Sequence, residues 1–155
     1  MNRLAIENAF GEQLLDHNGL MTPVLTRFFG PIYAYETQRE EDELSYRRTS
    51  TLFQSTSQKK ILDAHLVIAK GSLPVELIED LRVTSILFGQ LLKDHNIDIE
   101  TSAPKVRLIG QRWGRSVELI EKRSGKVICS VEELLVKDKM LLKMSILPQK
   151  ARIYD

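Results

Sequence analysis

The chain has 155 residues, with 22 basic and 21 acidic side chains, and a formal net charge of +1 at pH 7. This balance argues against nucleic acid or an anionic membrane as a partner, because both usually attract an excess of basic residues. A single cysteine excludes an intrachain disulfide, and no apolar run approaches the roughly 20 residues that span a bilayer. We therefore expect one cytoplasmic domain over residues 1–155.

Helical periodicity comes first along the chain. Apolar residues recur at helical spacing over residues 3–16, which predicts an amphipathic helix. A second, short helix is predicted from Thr22 to Phe29, with Thr22 as its N-cap and Gly30 at its end. The following segments are rich in aromatic and β-branched residues, which predicts strands. These strands are PIYAYETQ, LSYRRTSTLFQST and ILDAHLVIA, and an acidic loop over residues 39–43 separates the first two.

The second half of the chain repeats this change from helix to strand. Pro74 begins a stretch of two short helices, VELIEDL and TSILFGQLLKD, with a break near Arg82 and Val83. Three further strands are predicted over residues 104–111, 115–122 and 126–136, and Gly125 closes the hairpin turn between the last two. This order predicts an α+β fold, with a mainly antiparallel sheet of about six strands and helices packed on one face.

Several possible sites find no support in the sequence. The three histidines are scattered and form no metal-ligand spacing, and the chain has no phosphate-binding or dinucleotide-binding loop. Cys129 is typical of a small core residue rather than a nucleophile. The segment around Trp113, flanked by Arg112 and Arg115, is predicted to be a solvated turn between strands.

Two charged residues occupy unusual places in predicted strands. Arg47 and Arg48 are adjacent in one strand, so their side chains face opposite sides and one of them turns inward. Glu133 shares a strand face with Cys129 and the neighbouring apolar residues. Solvation at an edge or bulge is one explanation for these charges. The other is an inward guanidinium and carboxylate that form a polar pair in an apolar pocket, which suits a small anion that carries a hydroxyl.

The order of these segments resembles the chorismate lyase superfamily, and in particular its divergent short branch. The resemblance runs from about Leu14 to Leu135 and rests on the shared order and spacing of short strings. These strings are LLDHNGLMTPVLTRFFG, SYRRTSTLF, ILDAHLVIAKGSLP, ILFGQLL and WGRSVELIEKRSGKVICSVEELL. Arg48 falls on the family's substrate-binding arginine, and Glu133 falls on its active-site glutamate. The chain departs from the family pattern at Ala64-His65, at Phe88 and at Pro104-Lys105.

The resemblance implies an enzyme that converts chorismate to 4-hydroxybenzoate and pyruvate without a metal or other cofactor. It also implies helical flaps over an internal pocket and slow release of product. Arg48 and Glu133 would be the catalytic residues. The implied substrate-binding residues are Met21, Thr22, Arg48, Ala64, Phe88, Gly89 and Glu133. Two alternatives remain open: a non-catalytic domain of the same fold that binds or senses a small aromatic acid, and an interaction protein with an exposed apolar sheet face.

Overall fold

The computed structural model describes residues 10–84 and 86–147. The described residues form helices and strands in consecutive blocks. In chain order these elements are α1 (residues 10–15), α2 (Met21–Phe29), β1 (Ile32–Glu41), β2 (Ser45–Gln54), β3 (Lys60–Ala69), a 3-10 turn (Lys70–Ser72), α3 (Val75–Val83), α4 (Phe88–Asp94), β4 (Ile99–Thr101), β5 (Lys105–Ile109), β6 (Arg112–Glu121), β7 (Val127–Leu135) and α5 (Asp138–Met144). The part of the first predicted helix that precedes residue 10 lies outside the described residues.

The strands form one antiparallel sheet in the order β1-β2-β3-β7-β6-β4, and β5 also pairs with β6. The predicted α+β fold with an antiparallel sheet is therefore confirmed. The sheet has seven strands, one more than the sequence analysis predicts. The additional strand, β4, has only 3 residues, which is too short to show an alternating pattern.

Several predicted boundaries are wrong. The supposed loop over residues 39–43 is mostly strand, because β1 continues to Glu41 and pairs there with Tyr46. Thr22 does not cap α2: Leu20 occupies the N-cap position, and Thr22 lies inside the first turn. Helix α5, which begins shortly after the end of β7, is not predicted from the sequence.

The helices bury their apolar residues against one face of the sheet, in two clusters. One cluster joins α3 and α4 to the sheet and includes Tyr46, Ile68, Leu81 and Cys129. Burial raises the pKa of the Cys129 thiol well above its usual range, as expected of the core residue that the sequence predicts. The other cluster joins α1, α2 and α5 to the sheet; its members include Leu15, Leu25, Phe29, Leu62 and Leu135. The two clusters meet at Leu66 of β3, which packs against both.

The turn between β6 and β7 contains Gly125 at a position with a positive φ, in agreement with the predicted hairpin turn. Gly125 has a φ of +72°, a backbone conformation that glycine adopts without steric cost. Its N–H donates to the Glu121 carbonyl at 2.8 Å, which closes the turn.

Among the described residues, no helix combines the length and the apolar character that a membrane crossing requires.

Candidate functional site

A cavity of about 80 Å³ lies where the two core clusters meet. Its wall is formed by the inner faces of β2, β3, β6 and β7 and by the first residues of α2 and α4. The lining residues are Leu20, Met21, Thr22, Arg48, Ser50, Leu52, Ala64, Leu66, Leu87, Phe88, Gly89, Leu119, Val131 and Glu133. Every residue that the resemblance implies for substrate binding is among them. The structure therefore brings these sequence positions together around one space.

Strand alternation places Arg48 at this cavity. Arg47 is exposed, whereas Arg48 turns inward and is 2% exposed. Arg48 Nη1 donates to the Ile86 carbonyl at 2.9 Å, and Nε lies 3.3 Å from Glu36 Oε2 without hydrogen-bond geometry. Arg48 Nη2 is buried and has no hydrogen-bond partner among the described residues. A buried donor without a partner is costly, so a ligand oxygen that accepts from Nη2 would gain a strong interaction.

Glu133 reaches the cavity from β7, where it lies between Ala64 of β3 and Arg115 of β6. Its side chain is 9% exposed, and Arg115 Nη1 donates to Oε1 at 3.2 Å. Desolvation raises the pKa of Glu133 to about 7, although the charge and hydrogen bond of Arg115 oppose this shift. The carboxyl group is thus poised to exchange a proton near neutral pH, as a general acid or base requires.

Arg115 is buried in a strand, contrary to the prediction of a solvated turn. The predicted solvated turn is in fact the start of β6, and the Arg115 side chain is 1% exposed. Besides its contact with Glu133, Arg115 donates through Nη2 to the carbonyls of His17 and Gly19, at 2.9 and 2.6 Å. It therefore ties the loop before α2 to the sheet. The alternation of Arg115, Val117 and Leu119 on one face was a signal for this inward position.

Arg112 corrects the same prediction. It is partly buried at the start of β6, and its Nε donates to the Leu135 carbonyl at 2.8 Å. Its Nη2 lies 3.2 Å from Asp63 Oδ2. Arg112 therefore stabilises the pairing of β6, β7 and β3 rather than a solvated turn.

Arg48 and Glu133 do not form the direct pair that the sequence analysis considered. Strand β3 separates their strands: Arg48 is opposite Leu66, and Glu133 is opposite Ala64. The cation that lowers the pKa of Glu133 is accordingly Arg115 and not Arg48. Arg48 and Glu133 are instead two polar points on the wall of one largely apolar cavity, a typical arrangement for orienting a small ligand.

Two helices present their first turns to the cavity. Met21 and Thr22 begin α2, and Phe88 and Gly89 begin α4. Among the described residues, no side chain caps the N-terminus of either helix, and the first N–H groups of a helix have no partner within the helix itself. Gly89 also permits close packing here, because a Cβ at this position would lie 2.9 Å from Leu20 Cδ1.

Potential metal ligands are not grouped in this structure. Among residues 10–84 and 86–147, no three His, Cys, Asp or Glu side chains lie together as a cation site. His95 contacts Asp80 through Nε2 at 2.7 Å.

Comparison with known proteins adds no assignment: no protein-family model matches this chain, and no curated protein matches it.

Proposed function

We propose that this cavity is the active site of a chorismate lyase-type enzyme, which converts chorismate to 4-hydroxybenzoate and pyruvate. One observation carries the proposal. An apolar cavity is lined by a buried guanidinium, on Arg48, whose Nη2 has no partner among the described residues, and by a buried carboxyl group with a pKa of about 7, on Glu133. An anionic cyclic substrate that carries a hydroxyl offers complementary groups to both.

The reaction needs positioning more than strong chemical activation. The ether bond between the ring and the enolpyruvyl group breaks, and its electron pair leaves with the oxygen. The neighbouring ring carbon, which carries the hydroxyl, loses its proton as the ring becomes aromatic, and the enolpyruvate takes up a proton to give pyruvate. Because aromatisation makes this elimination favourable, holding the substrate in a reactive geometry away from water supplies much of the acceleration.

Each polar group then has a role. Arg48 Nη2 binds one carboxylate oxygen of the substrate. Ionised Glu133 accepts a hydrogen bond from the ring hydroxyl and lies near the ring carbon that loses its proton, so it is suited to receive that proton. Backbone N–H groups in the first turns of α2 and α4 bind the second carboxylate. Arg115 is a positioning residue, because it holds Glu133 and the loop before α2 in place.

The size of the cavity implies that the site opens. Small-molecule sites usually enclose about 300 to 1,000 Å³, whereas this cavity has about 80 Å³. Entry of chorismate would require α2 or α4 to move away from the sheet. Such a movement is consistent with product release as the slow step of turnover.

Direct assay of chorismate turnover tests the proposal. Purified protein is incubated with chorismate, 4-hydroxybenzoate and pyruvate are quantified by chromatography, and the uncatalysed background is subtracted. We expect product from the wild type and a loss of at least about 100-fold in Glu133→Gln and Arg48→Ala. Glu132→Gln and Arg47→Ala are matched controls, because these neighbours are exposed on the opposite face of the same strands. Turnover at the background rate, or turnover that both site variants retain, would contradict the proposal.

A second candidate is a non-catalytic domain that binds a small aromatic acid. It is favoured by the small cavity and by the Glu36 carboxylate beside Arg48, since both features suit a compact ligand with one negative charge. In this case 4-hydroxybenzoate would raise the melting temperature of the wild type, whereas chorismate would not be consumed.

A further inference from the structure

The edge strand β1 contains a bulge beside the cavity wall. Glu36 pairs with Ser50, whereas Gln38 pairs with Thr49, so Thr37 is an extra residue in the ladder. Residues three apart on a regular strand face opposite sides, but an inserted residue shifts the alternation. Glu36 and Arg39 therefore share the inner face, together with Arg48 of β2.

Because of the bulge, the Glu36 carboxylate lies close to both Arg39 and Arg48. Arg39 lies directly opposite Arg48 in the register, and like charges in such a pair repel one another. Glu36 offsets this repulsion: its Oε1 accepts from Arg39 Nε at 2.6 Å, and its Oε2 accepts from Arg39 Nη2 at 2.9 Å. The same Oε2 lies 3.3 Å from Arg48 Nε, and the Glu36 side chain is 10% exposed.

These contacts limit how Arg48 can bind an anion. A carboxylate that grips a guanidinium with both oxygens needs two adjacent nitrogens. Arg48 Nη1 is engaged by the Ile86 carbonyl, and Nε faces Glu36. Nε and Nη2 both lack a hydrogen-bond partner among the described residues. A two-oxygen grip on the Nη1–Nη2 edge would compete with the Ile86 carbonyl, and one on the Nε–Nη2 edge would bring an oxygen beside Glu36 Oε2. Of the two unpartnered donors, Nη2 is the one that is not beside the negative charge of Glu36.

We infer that Glu36 is a specificity-determining residue, which neutralises Arg48 from outside the cavity and limits the negative charge that the cavity accepts. This inference rests on the proposed binding of an aromatic acid at Arg48. Glu36 is not among the residues that line the cavity, so its effect on a ligand is electrostatic rather than steric. Its charge disfavours a second anionic group near Arg48, and it favours single-oxygen contact over a two-oxygen grip.

Replacement of the charge without a change of shape tests the inference. In Glu36→Gln, we expect the affinity for 4-hydroxybenzoate, measured by isothermal titration calorimetry, to rise about tenfold. The affinity for the uncharged analogue 4-hydroxybenzyl alcohol should stay within about twofold. Glu40→Gln is the matched control, because Glu40 is an exposed carboxylate on the same strand and its replacement changes the net charge equally. We expect this control to bind like the wild type.

A second variant provides the same test if Glu36→Gln does not fold. Glu36→Gln leaves Arg39 and Arg48 opposed without a counterion, so Glu36→Gln combined with Arg39→Gln removes the repulsion as well. We expect a gain in the same direction from this double variant. Unchanged 4-hydroxybenzoate affinity in the folded variants, an equal gain for the uncharged analogue, or no binding by any variant would overturn the inference. A selective gain without chorismate turnover would support it while contradicting the lyase proposal. Chorismate turnover without a selective gain in affinity would support the lyase proposal and contradict the inference about Glu36.

Discussion

Arg115 and Glu133 form a buried ion pair between adjacent strands, with Arg115 Nη1 3.2 Å from Glu133 Oε1. Glu133 lines the candidate cavity, and Arg115 also donates to two carbonyls of the loop before α2. Even with this partner, burial raises the pKa of Glu133 to about 7. Desolvation therefore outweighs the attraction of a single guanidinium, and this balance has measurable consequences.

The stability of the protein should fall as pH rises toward neutrality. The pKa of Glu133 is about 7 in the folded chain, against a model value of 4.5, so the folded state binds more protons between these two pH values. The free energy of unfolding then decreases from about pH 4.5 to about pH 7, by roughly 3 kcal/mol at most. Urea unfolding of the wild type and Glu133→Gln at pH 5 and pH 7.5 measures this difference.

Glu133→Gln should lack this part of the pH dependence. Other groups contribute equally to both proteins, and Glu41, whose pKa Arg82 and Lys70 lower to about 2, titrates below this window. If the two proteins lose the same free energy of unfolding between pH 5 and pH 7.5, the raised pKa of Glu133 is contradicted.

Arg115→Ala should be strongly destabilising. The substitution leaves the Glu133 carboxylate buried without its cation and releases the carbonyls of His17 and Gly19. Loss of one partner of a buried pair typically costs about 3 to 5 kcal/mol. Urea unfolding at pH 7.5 measures this cost. Arg107→Ala, an exposed arginine on β5, is the control and should cost under about 0.5 kcal/mol. A cost below about 1 kcal/mol for Arg115→Ala would contradict the prediction.

Arg48→Ala should weaken the binding of aromatic acids. The substitution removes the Nη2 donor at the cavity, whereas Glu36 keeps its contacts with Arg39. We expect the Kd for 4-hydroxybenzoate to rise at least about tenfold by calorimetry. Arg47→Ala removes an equal charge from the exposed face of the same strand and should bind like the wild type. Equal affinities in these two variants would show that Arg48 does not contact the ligand.

Gly89→Ala should weaken ligand binding and leave the free energy of unfolding almost unchanged. The new Cβ would lie 2.9 Å from Leu20 Cδ1, the end of a flexible side chain that itself lines the cavity. Leu20 would move into the cavity space, so the Kd for 4-hydroxybenzoate should rise several-fold, measured by calorimetry. The stability should change by no more than about 1 kcal/mol, since alanine also favours the helix. Gly71→Ala, which meets no atom within 4 Å, is the control, and an equal loss of affinity there would contradict this explanation.

Local patterns predicted the main elements, the inward Glu133 and an inward arginine at position 47 or 48, and the family resemblance selected Arg48. The central strands β2, β3 and β7 follow their predicted ranges closely, because alternation along a strand is visible in a short segment. The same alternation puts Arg48 on the inner face, and Glu133 shares its inner face with Cys129 and Val131. The short strand β4 and the helix α5 were missed because neither follows a distinct sequence pattern.

The partners of these charged residues could not be predicted in the same way. The sequence suggests a polar pair of Arg48 and Glu133, whereas the structure pairs Arg48 with Glu36 and Glu133 with Arg115. The choice of partner depends on which strands are neighbours. In this sheet β7 lies between β3 and β6, and the bulge in β1 brings Arg39 onto the inner face that Glu36 and Arg48 share.

The sequence by itself therefore determined an α+β chain with an antiparallel sheet, and it determined that one of Arg47 and Arg48 turns inward. Hydrophobic periodicity specifies these features because each depends on residues close together in the chain. Only the tertiary structure decided that the predicted site residues surround one cavity and which ion partner each of its charged groups has. These contacts join residues distant in sequence, and packing of the sheet against the helices sets both their geometry and the desolvation that raises the pKa of Glu133.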